Sequence, residues 1–238
     1  MNKKLKVCWI SAGVSSFIAG YLAENVDEFI YIDIENQHPD SMRFIKDCEK
    51  ALGKSIQILK SNYESTQNVI KQFRFINGIH GAKCTEILKK RVRKEWEYQH
   101  SDYDITYVWG FDFSEQNRAD RLLESMPQFE HEFPLIDKIL SKSDAHAILD
   151  NLGIKRPLMY DLGYSNNNCI GCVKGGMGYW NKIRIDFPEV FDRMAKLERE
   201  VGHSCINGVY LDELEPDRGR MENEIMPDCS IMCWLATQ

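Results

Sequence analysis

Short apolar runs alternate with stretches of helical periodicity along the first half of the chain. The runs predict strands at residues 5–10, 29–34, 55–59 and 105–110, and the periodic stretches predict helices at 15–23, 39–52 and 83–96. Strands that alternate with helices indicate βαβ units. We therefore predict an α/β fold with a doubly wound, mostly parallel sheet, whose ligands bind at the carboxyl ends of the strands.

The pattern changes after residue 135. Helices are predicted at 142–152 and 188–201, with a Gly-, Asn- and Cys-rich stretch at 163–178 between them and an acidic tail behind them. We expect a nucleotide-binding α/β core over residues 1–135. Residues 136–238 would form a helical, cysteine-containing C-terminal extension that packs on this core as one structural unit.

Composition limits the classes of function. The chain has 238 residues, of which 43% are hydrophobic, and a net charge of -6, so it carries no overall basic footprint for nucleic acid. No apolar run approaches the roughly 20 residues that cross a bilayer, and the basic N-terminus leads into a strand rather than a secretory segment. We expect a cytoplasmic protein without a membrane partner, whose eight cysteines serve metal or redox chemistry instead of disulfides.

The turn after the first predicted strand is a candidate anion site. It reads Ser-Ala-Gly-Val-Ser-Ser at residues 11–16, and Ser11, Gly13, Ser15 and Ser16 would hold phosphates with backbone N–H groups and hydroxyls at a helix N-terminus. An ordinary strand–helix turn capped by serine explains the same residues.

Two cysteines, Cys169 and Cys172, form a CxxC pattern in a loop of Asn and Gly. In a cytosolic protein such a pair predicts a metal or cluster site, or a redox pair. Cys84 lies at a predicted helix start, where the helix dipole lowers a thiol pKa. Cys8 and Cys48, within a predicted strand and a predicted helix, are better explained as buried thiols.

Six segments, in this order, resemble the 3'-phosphoadenylyl sulfate reductase family of the PP-loop, or adenine nucleotide alpha-hydrolase-like, superfamily. They are the 11–16 loop, Asp33 with the segment 35–39, the segments 83–89 and 110–118, the CxxC at 169–172, and the tail Asp-Cys-Ser-Ile-Met-Cys at 228–233. The chain is most similar to the shorter relatives that phages and other mobile elements encode. The resemblance implies a PP-loop-like fold and an enzyme that transfers sulfur or reduces a sulfonucleotide.

The resemblance also implies roles for single residues. Asp33, His38 and Lys89 would contact ATP or an adenylyl sulfate-type nucleotide, Arg118 would bind its phosphate or sulfate during catalysis, and Cys229 would be the nucleophile, with Cys233 as a resolving thiol. A [4Fe-4S] cluster would sit on Cys84, Cys169 and Cys172. We prefer Cys205 as its fourth ligand, with Cys233 or an external ligand as the alternative, and a zinc ion on the same cysteines as the alternative chemistry.

Partners follow from the same resemblance. They are an adenine nucleotide, a tRNA or DNA substrate that meets part of the basic run 89–94, a thiol reductant or sulfur donor protein, and a second copy of the chain in a homodimer. Catalytic PP-loops usually read Ser-Gly-Gly-x-Asp-Ser, whereas Ala12 and Ser15 stand in this chain. These departures favour an alternative function: a non-catalytic nucleotide-binding or partner-binding protein with a structural zinc.

Overall fold

A parallel sheet is the centre of the fold in the computed structural model, which describes residues 3–78 and 81–222. Within these residues a five-stranded sheet has the order β3-β2-β1-β6-β7, with helices on its faces. This arrangement confirms the predicted doubly wound α/β class. The strands are β1 (Lys3–Ile10), β2 (Glu28–Asp33), β3 (Ile56–Lys60), a small hairpin of β4 (Asn77–Gly78) and β5 (Gly81–Ala82), β6 (Tyr103–Val108) and β7 (Glu130–Glu132).

The helices connect and cover these strands. They are α1 (Val14–Leu22), α2 (Asp40–Leu52), α3 (Thr66–Phe73), α4 (Lys83–Thr85), α5 (Arg91–Gln99), α6 (Gln116–Ser125), α7 (Pro134–Asp137), α8 (Lys142–Asn151), α9 (Leu158–Asp161), α10 (Met177–Asp186) and α11 (Pro188–Val201). Single 3-10 turns occur at Phe113–Glu115 and Leu211–Glu213. Within the described ranges, no helix combines the length and the apolar character needed to cross a membrane.

The register of the sheet brings three strand ends to one edge. In the parallel pairs of β1 with its two neighbours, Ile10 lies opposite Tyr31 of β2, and Cys8 lies opposite Val108 of β6. The chain leaves each of these strands at the same edge, since parallel strands share their direction. The carboxyl ends of β1, β2 and β6 are therefore neighbours at one edge of the sheet, where a ligand site of this fold class is expected.

The predicted helix 83–96 is interrupted. It consists of α4, a π-helical turn at Glu86–Lys90 and α5. A π turn inserts one extra residue into the helix, which changes the direction of every side chain that follows, and such turns are common at functional sites. Periodicity does not reveal it, because the apolar spacing on either side still fits a helix.

Contacts divide the chain into two compact units. The first unit contains the residues up to Asp33, Pro39–Leu59 and Lys94–Asn167; the second contains Ile34–His38, Lys60–Arg93 and the chain from Asn168 onward. Both units are discontinuous in sequence. The division expected from composition, at residue 135, stays a prediction.

Candidate functional site

The 11–16 turn of the first unit, which we call the phosphate loop, has a fixed backbone. Ala12 is completely buried and has a φ of 58°, in the left-handed region that favours glycine. The buried amide of Asn167 donates from Nδ2 to the carbonyl oxygen of Ala12 at 2.8 Å and to Ser41 Oγ at 3.0 Å. This side chain secures the turn from a position far along the sequence.

Ser16 closes the phosphate loop from inside. Its hydroxyl accepts a hydrogen bond from the Ser11 backbone N–H at 3.0 Å and donates one to the Gly13 carbonyl at 2.9 Å. The Ser11 hydroxyl lies 3.1 Å from the same oxygen. The hydroxyl of Ser16, a predicted phosphate contact, is thus engaged within the loop, whereas Ser11, Gly13 and Ser15 are half-buried.

A glycine after β6 makes the phosphate loop fit the sheet. A Cβ placed on Gly110 would lie 2.5 Å from Ser16 Cα and 2.6 Å from the Ser16 backbone nitrogen. No side chain larger than hydrogen is compatible with that distance. Gly110 thus lets the end of β6 touch the backbone at the start of α1.

A tyrosine hydroxyl lies at the N-terminus of α1. Within the described residues, its first turn contains no acidic residue and no side-chain cap. The Tyr160 hydroxyl accepts from the Val14 N–H at 3.4 Å, and Lys142 Nζ lies 5.9 Å from the centre of the Tyr160 ring. His146 packs edge-on against Tyr160, and burial together with Arg156 and Lys142 lowers the pKa of this imidazole. An anion at the helix N-terminus would be stabilised there.

The structure places the other predicted nucleotide contacts as follows. Asp33 is the last residue of β2 and lies at the same sheet edge as the phosphate loop. Arg118, on α6, forms an ion pair with Glu115, and its guanidinium carbon lies 4.6 Å from the centre of the Phe111 ring. His38 belongs to the second unit, where its ring contacts the Phe187 ring at 6.3 Å between centres.

The second unit brings three predicted ligands together. Cys84, Cys169 and Cys172 line one narrow cavity of about 20 Å³, which we call the cysteine cavity. Cys84 lies in the first turn of α4, as predicted. Lysines also line this cavity, and its full lining is Ile34, Thr66, Cys84, Thr85, Leu88, Lys89, Cys169, Cys172, Val173 and Lys174.

The CxxC loop is held by hydrogen bonds to its backbone. The Tyr179 hydroxyl accepts from the Cys172 N–H at 2.8 Å and donates to the Cys169 carbonyl at 3.1 Å, and the Ile170 N–H donates to the Asn36 carbonyl at 2.8 Å. Gly171 has a φ of 72°, and a Cβ there would lie 2.7 Å from Val190. These contacts fix the backbone of the segment that carries both cysteines.

Cys205, the preferred fourth ligand, lies in a different environment. It is buried, and its backbone N–H donates to the buried carboxylate of Glu198, which also accepts from the Leu211 N–H at 2.6 Å. Burial and the charge of Glu198 raise the pKa of the Cys205 thiol, and Cys84 contributes in the same direction. Burial likewise raises the pKa of Glu198. The role of Cys205 as the fourth ligand stays a prediction.

Two other cysteines belong to the core of the first unit. Burial raises the pKa of Cys8 to about 12, and burial also raises that of Cys48. Both therefore remain thiols at neutral pH, as their position in a strand and a helix predicted. Cys229 and Cys233 lie outside the described residues.

The cysteine cavity fits a thiolate-bound group in its donor chemistry, because thiolates are the ligands of iron–sulfur clusters and of zinc. Its two lysines would offset the negative charge of such a group. Among the described residues, however, no three His, Cys, Asp or Glu side chains are spaced to hold one metal ion. The volume is about that of one water molecule, so a cluster requires the walls to separate.

Several residues of these sites carry no sequence motif. Asn167 and Tyr160 contact the phosphate loop from more than 140 positions away along the chain. Thr85 and Lys174 line the cysteine cavity beside the predicted cysteines. For Thr85 and Lys174, the one available signal was their closeness in sequence to Cys84 and Cys172.

No model of a known protein family matches the chain. Over 185 residues the chain is 23% identical to the uncharacterized protein MJ0066 of Methanocaldococcus jannaschii. The aligned region covers 75% of this chain and 37% of that protein. The chain thus spans little more than a third of the length of this relative. The name of the relative states no activity, so the functional argument rests on the site.

Proposed function

We propose that this chain is an adenine-nucleotide-binding enzyme that transfers sulfur or reduces a sulfonucleotide, with a [4Fe-4S] cluster on Cys84, Cys169 and Cys172. The observation that carries the proposal is the convergence of these three cysteines, from two distant segments, on one cavity with Lys89 and Lys174. A cluster bound there would supply a redox-active sulfur centre. Thiolate ligation of this kind favours a reducing compartment, the cytoplasm.

The phosphate loop supports the nucleotide part of the proposal. Its residues Ser11, Gly13 and Ser15 are half-buried, and Asp33 lies at the same sheet edge, within reach of the nucleoside. Ser16 and Gly110 would hold the loop in shape without touching the ligand. Arg118 would bind a phosphate or sulfate only after leaving Glu115, which makes this arginine the least supported of the predicted contacts.

The alternative function is non-catalytic nucleotide binding with a structural zinc. The Ser16 hydroxyl is bonded within the loop and Ala12 has a left-handed backbone conformation. Both features favour this alternative, because they maintain the conformation of the loop and contribute no catalytic group. We rank the cluster-binding enzyme first, because three cysteines and two lysines line one cavity.

Nucleotide binding is tested with Gly13→Ala. The added methyl would lie 3.2 Å from Ser11 Oγ, and Gly13 has a φ of -99°, so the backbone tolerates alanine. We expect ATP or adenylyl sulfate affinity, measured by calorimetry, to fall at least about tenfold, or roughly 1.4 kcal/mol, with little loss of stability. Gly176→Ala, where nothing lies within 4 Å, is the matched control. Equal affinities in both variants would place the nucleotide elsewhere.

The metal content separates the two functions. Protein purified without oxygen should contain about four iron and four sulfide per chain and be brown. Cys169→Ser and Cys84→Ser should lose the colour, whereas Cys48→Ser, in the core of the first unit, should keep it. Stoichiometric zinc in colourless protein would refute the cluster and support the alternative.

A further inference from the structure

A second, larger cavity of the second unit lies beside the cysteine cavity. It has a volume of about 780 Å³, in the range of small-molecule sites, and we call it the basic groove. Its lining consists of Phe73, Phe75, Gly78, Gly81, Ala82, Lys83, Thr85, Glu86, Lys90 and Lys174. Thr85 and Lys174 line both cavities, so the two share a wall.

The charge of the basic groove is opposite to that of the chain. Three lysines and one glutamate line it, although the whole chain has a net charge of -6. Lys83 pairs with Glu86 at 2.8 Å and also lies 5.0 Å from the centre of the Phe73 ring. Tyr63 packs against the same ring at 5.7 Å between centres, and the ring remains 37% exposed. Proteins that bind single strands combine basic side chains with exposed aromatic rings of this kind.

A buried hydroxyl gives a second, independent indication of a ligand. Thr85 is 4% exposed, and its Oγ1 has no hydrogen-bond partner among the described residues. A buried hydroxyl without a partner is destabilising, so a ligand or water that supplies the hydrogen bond is favoured. Because Thr85 lines both cavities, this ligand would reach the wall of the cysteine cavity.

The basic run 89–94 divides among three environments. Lys90 lines the basic groove, Lys89 lines the cysteine cavity, and Arg93 is 6% exposed. The run is therefore not one continuous surface patch. The lysines that line the basic groove are Lys83 and Lys90 from this region and Lys174 from the segment after the CxxC pair.

We propose that the basic groove binds single-stranded nucleic acid, with a base stacked on the exposed ring of Phe73 and the adjoining phosphates held by Lys83, Lys90 and Lys174. An acidic peptide would pair with the lysines but leave the ring unused, and a duplex would keep its bases stacked on each other. The proposed binding of a single strand is argued from the residues of the basic groove alone. The role of this strand as a sulfur acceptor rests on the proposed function.

The test is fluorescence anisotropy of the full chain with a labelled oligothymidylate of about ten nucleotides. With three lysines on phosphates, log Kd should rise with log salt at a slope of about 2. Lys90→Glu and Lys174→Glu should each weaken binding at least about tenfold and lower that slope by about 0.7 or more. Lys196→Glu, an exposed position of α11 with the same charge change, should have little effect.

Two further variants test the ring and the hydroxyl. Phe73→Ala should weaken binding roughly fivefold or more without changing the salt slope, because stacking does not release ions. Exposed Phe113, in the first unit, gives the control Phe113→Ala. Thr85→Val should weaken oligonucleotide binding while the protein stays at least as stable as the natural chain. Weaker binding at unchanged stability would show that a contact with the ligand, and not the fold, has been lost.

The proposal fails if duplex DNA of the same sequence, thymidine monophosphate or polyglutamate binds as tightly as the oligothymidylate. It also fails if Lys90→Glu and Phe73→Ala bind like their controls. Gly13→Ala should lose ATP but keep the oligonucleotide. If ATP binding is absent from the natural chain and oligonucleotide binding is present, the proposed function fails and the groove remains.

Discussion

The phosphate loop and the cysteine cavity are built in opposite ways. In the loop, polar groups bond to one another: Ser16 to Ser11 and Gly13, and Asn167 to Ala12. In the cavity, the buried Thr85 hydroxyl has no hydrogen-bond partner among the described residues. The loop is complete before a ligand arrives. The cavity contains a group that a ligand would satisfy, so substitutions should affect the two regions differently.

The largest effect is expected where the loop meets the sheet. Gly110→Ala would place a methyl 2.5 Å from Ser16 Cα, and neither backbone segment can retreat without disturbing β6 or α1. We expect the free energy of unfolding to fall by about 3 kcal/mol, at the upper end for overpacking. Urea denaturation measures it, with Gly176→Ala as the control. A loss below about 1 kcal/mol would mean that the loop is not held by this contact.

Ser16 and Ser11 should differ although both are serines of the same loop. Ser16→Ala leaves the Ser11 N–H without its acceptor, so we expect a loss of about 1–3 kcal/mol in unfolding free energy. Ser11→Ala removes a half-buried hydroxyl and should cost less than about 0.5 kcal/mol. Thermal unfolding of both variants is the measurement. Equal losses would contradict the division between a structural and a ligand-facing serine.

Glu198 should make the stability of the second unit depend on pH. Because burial raises its pKa, its contribution to the unfolding free energy is full below the pKa of the unfolded carboxyl and is lost as pH rises through the folded pKa. The difference between the natural chain and Glu198→Gln should therefore decrease from about pH 4 upward. The decrease is about 1.4 kcal/mol for each pH unit by which the pKa is raised.

Urea titrations at several pH values measure this difference. For the control Glu200→Gln, at an exposed position of the same helix, the difference in unfolding free energy from the natural chain should not change with pH. A difference that grows as pH rises would mean that hydrogen bonding to the Glu198 carboxylate outweighs its burial.

The smallest effect has the opposite sign. Thr85→Val replaces the unpartnered hydroxyl with a methyl of similar size, so stability should stay level or rise by about 1 kcal/mol in protein without ligand. Differential scanning calorimetry checks the change. A loss of more than about 1 kcal/mol would show that the hydroxyl is already satisfied, and the contrast between the two regions would disappear.

Much of the fold was predictable because it is encoded locally. Helix α11 begins and ends where the periodicity and its leading proline predicted, at Pro188 and Val201. Strand β7 was missed since its residues, Glu130–Glu132, are polar and pair only at the sheet edge. Helix α10 was missed because its sequence lacks a clear apolar face and follows a Gly-rich segment.

For the candidate sites, too, only features encoded by nearby residues were predictable from the sequence. Spacing identified the turn at 11–16 and the CxxC pair, and Cys84 was found through a resemblance of motifs. Nothing local distinguishes Ser16, whose hydroxyl turns inward, from Ser15, which is half-buried. The environment of Cys205 depends on Glu198 and Leu211, which only folding brings beside it.

By itself the sequence determined the class of fold and the position of the turn at 11–16, and it predicted a metal or redox role for its cysteines. These properties depend on the order of apolar and polar residues and on motifs within a few positions of one another. The tertiary structure decided which serine is structural, which three cysteines share a cavity, and that lysines from separate segments form one groove. Those outcomes depend on contacts between residues far apart in the chain, which packing alone establishes.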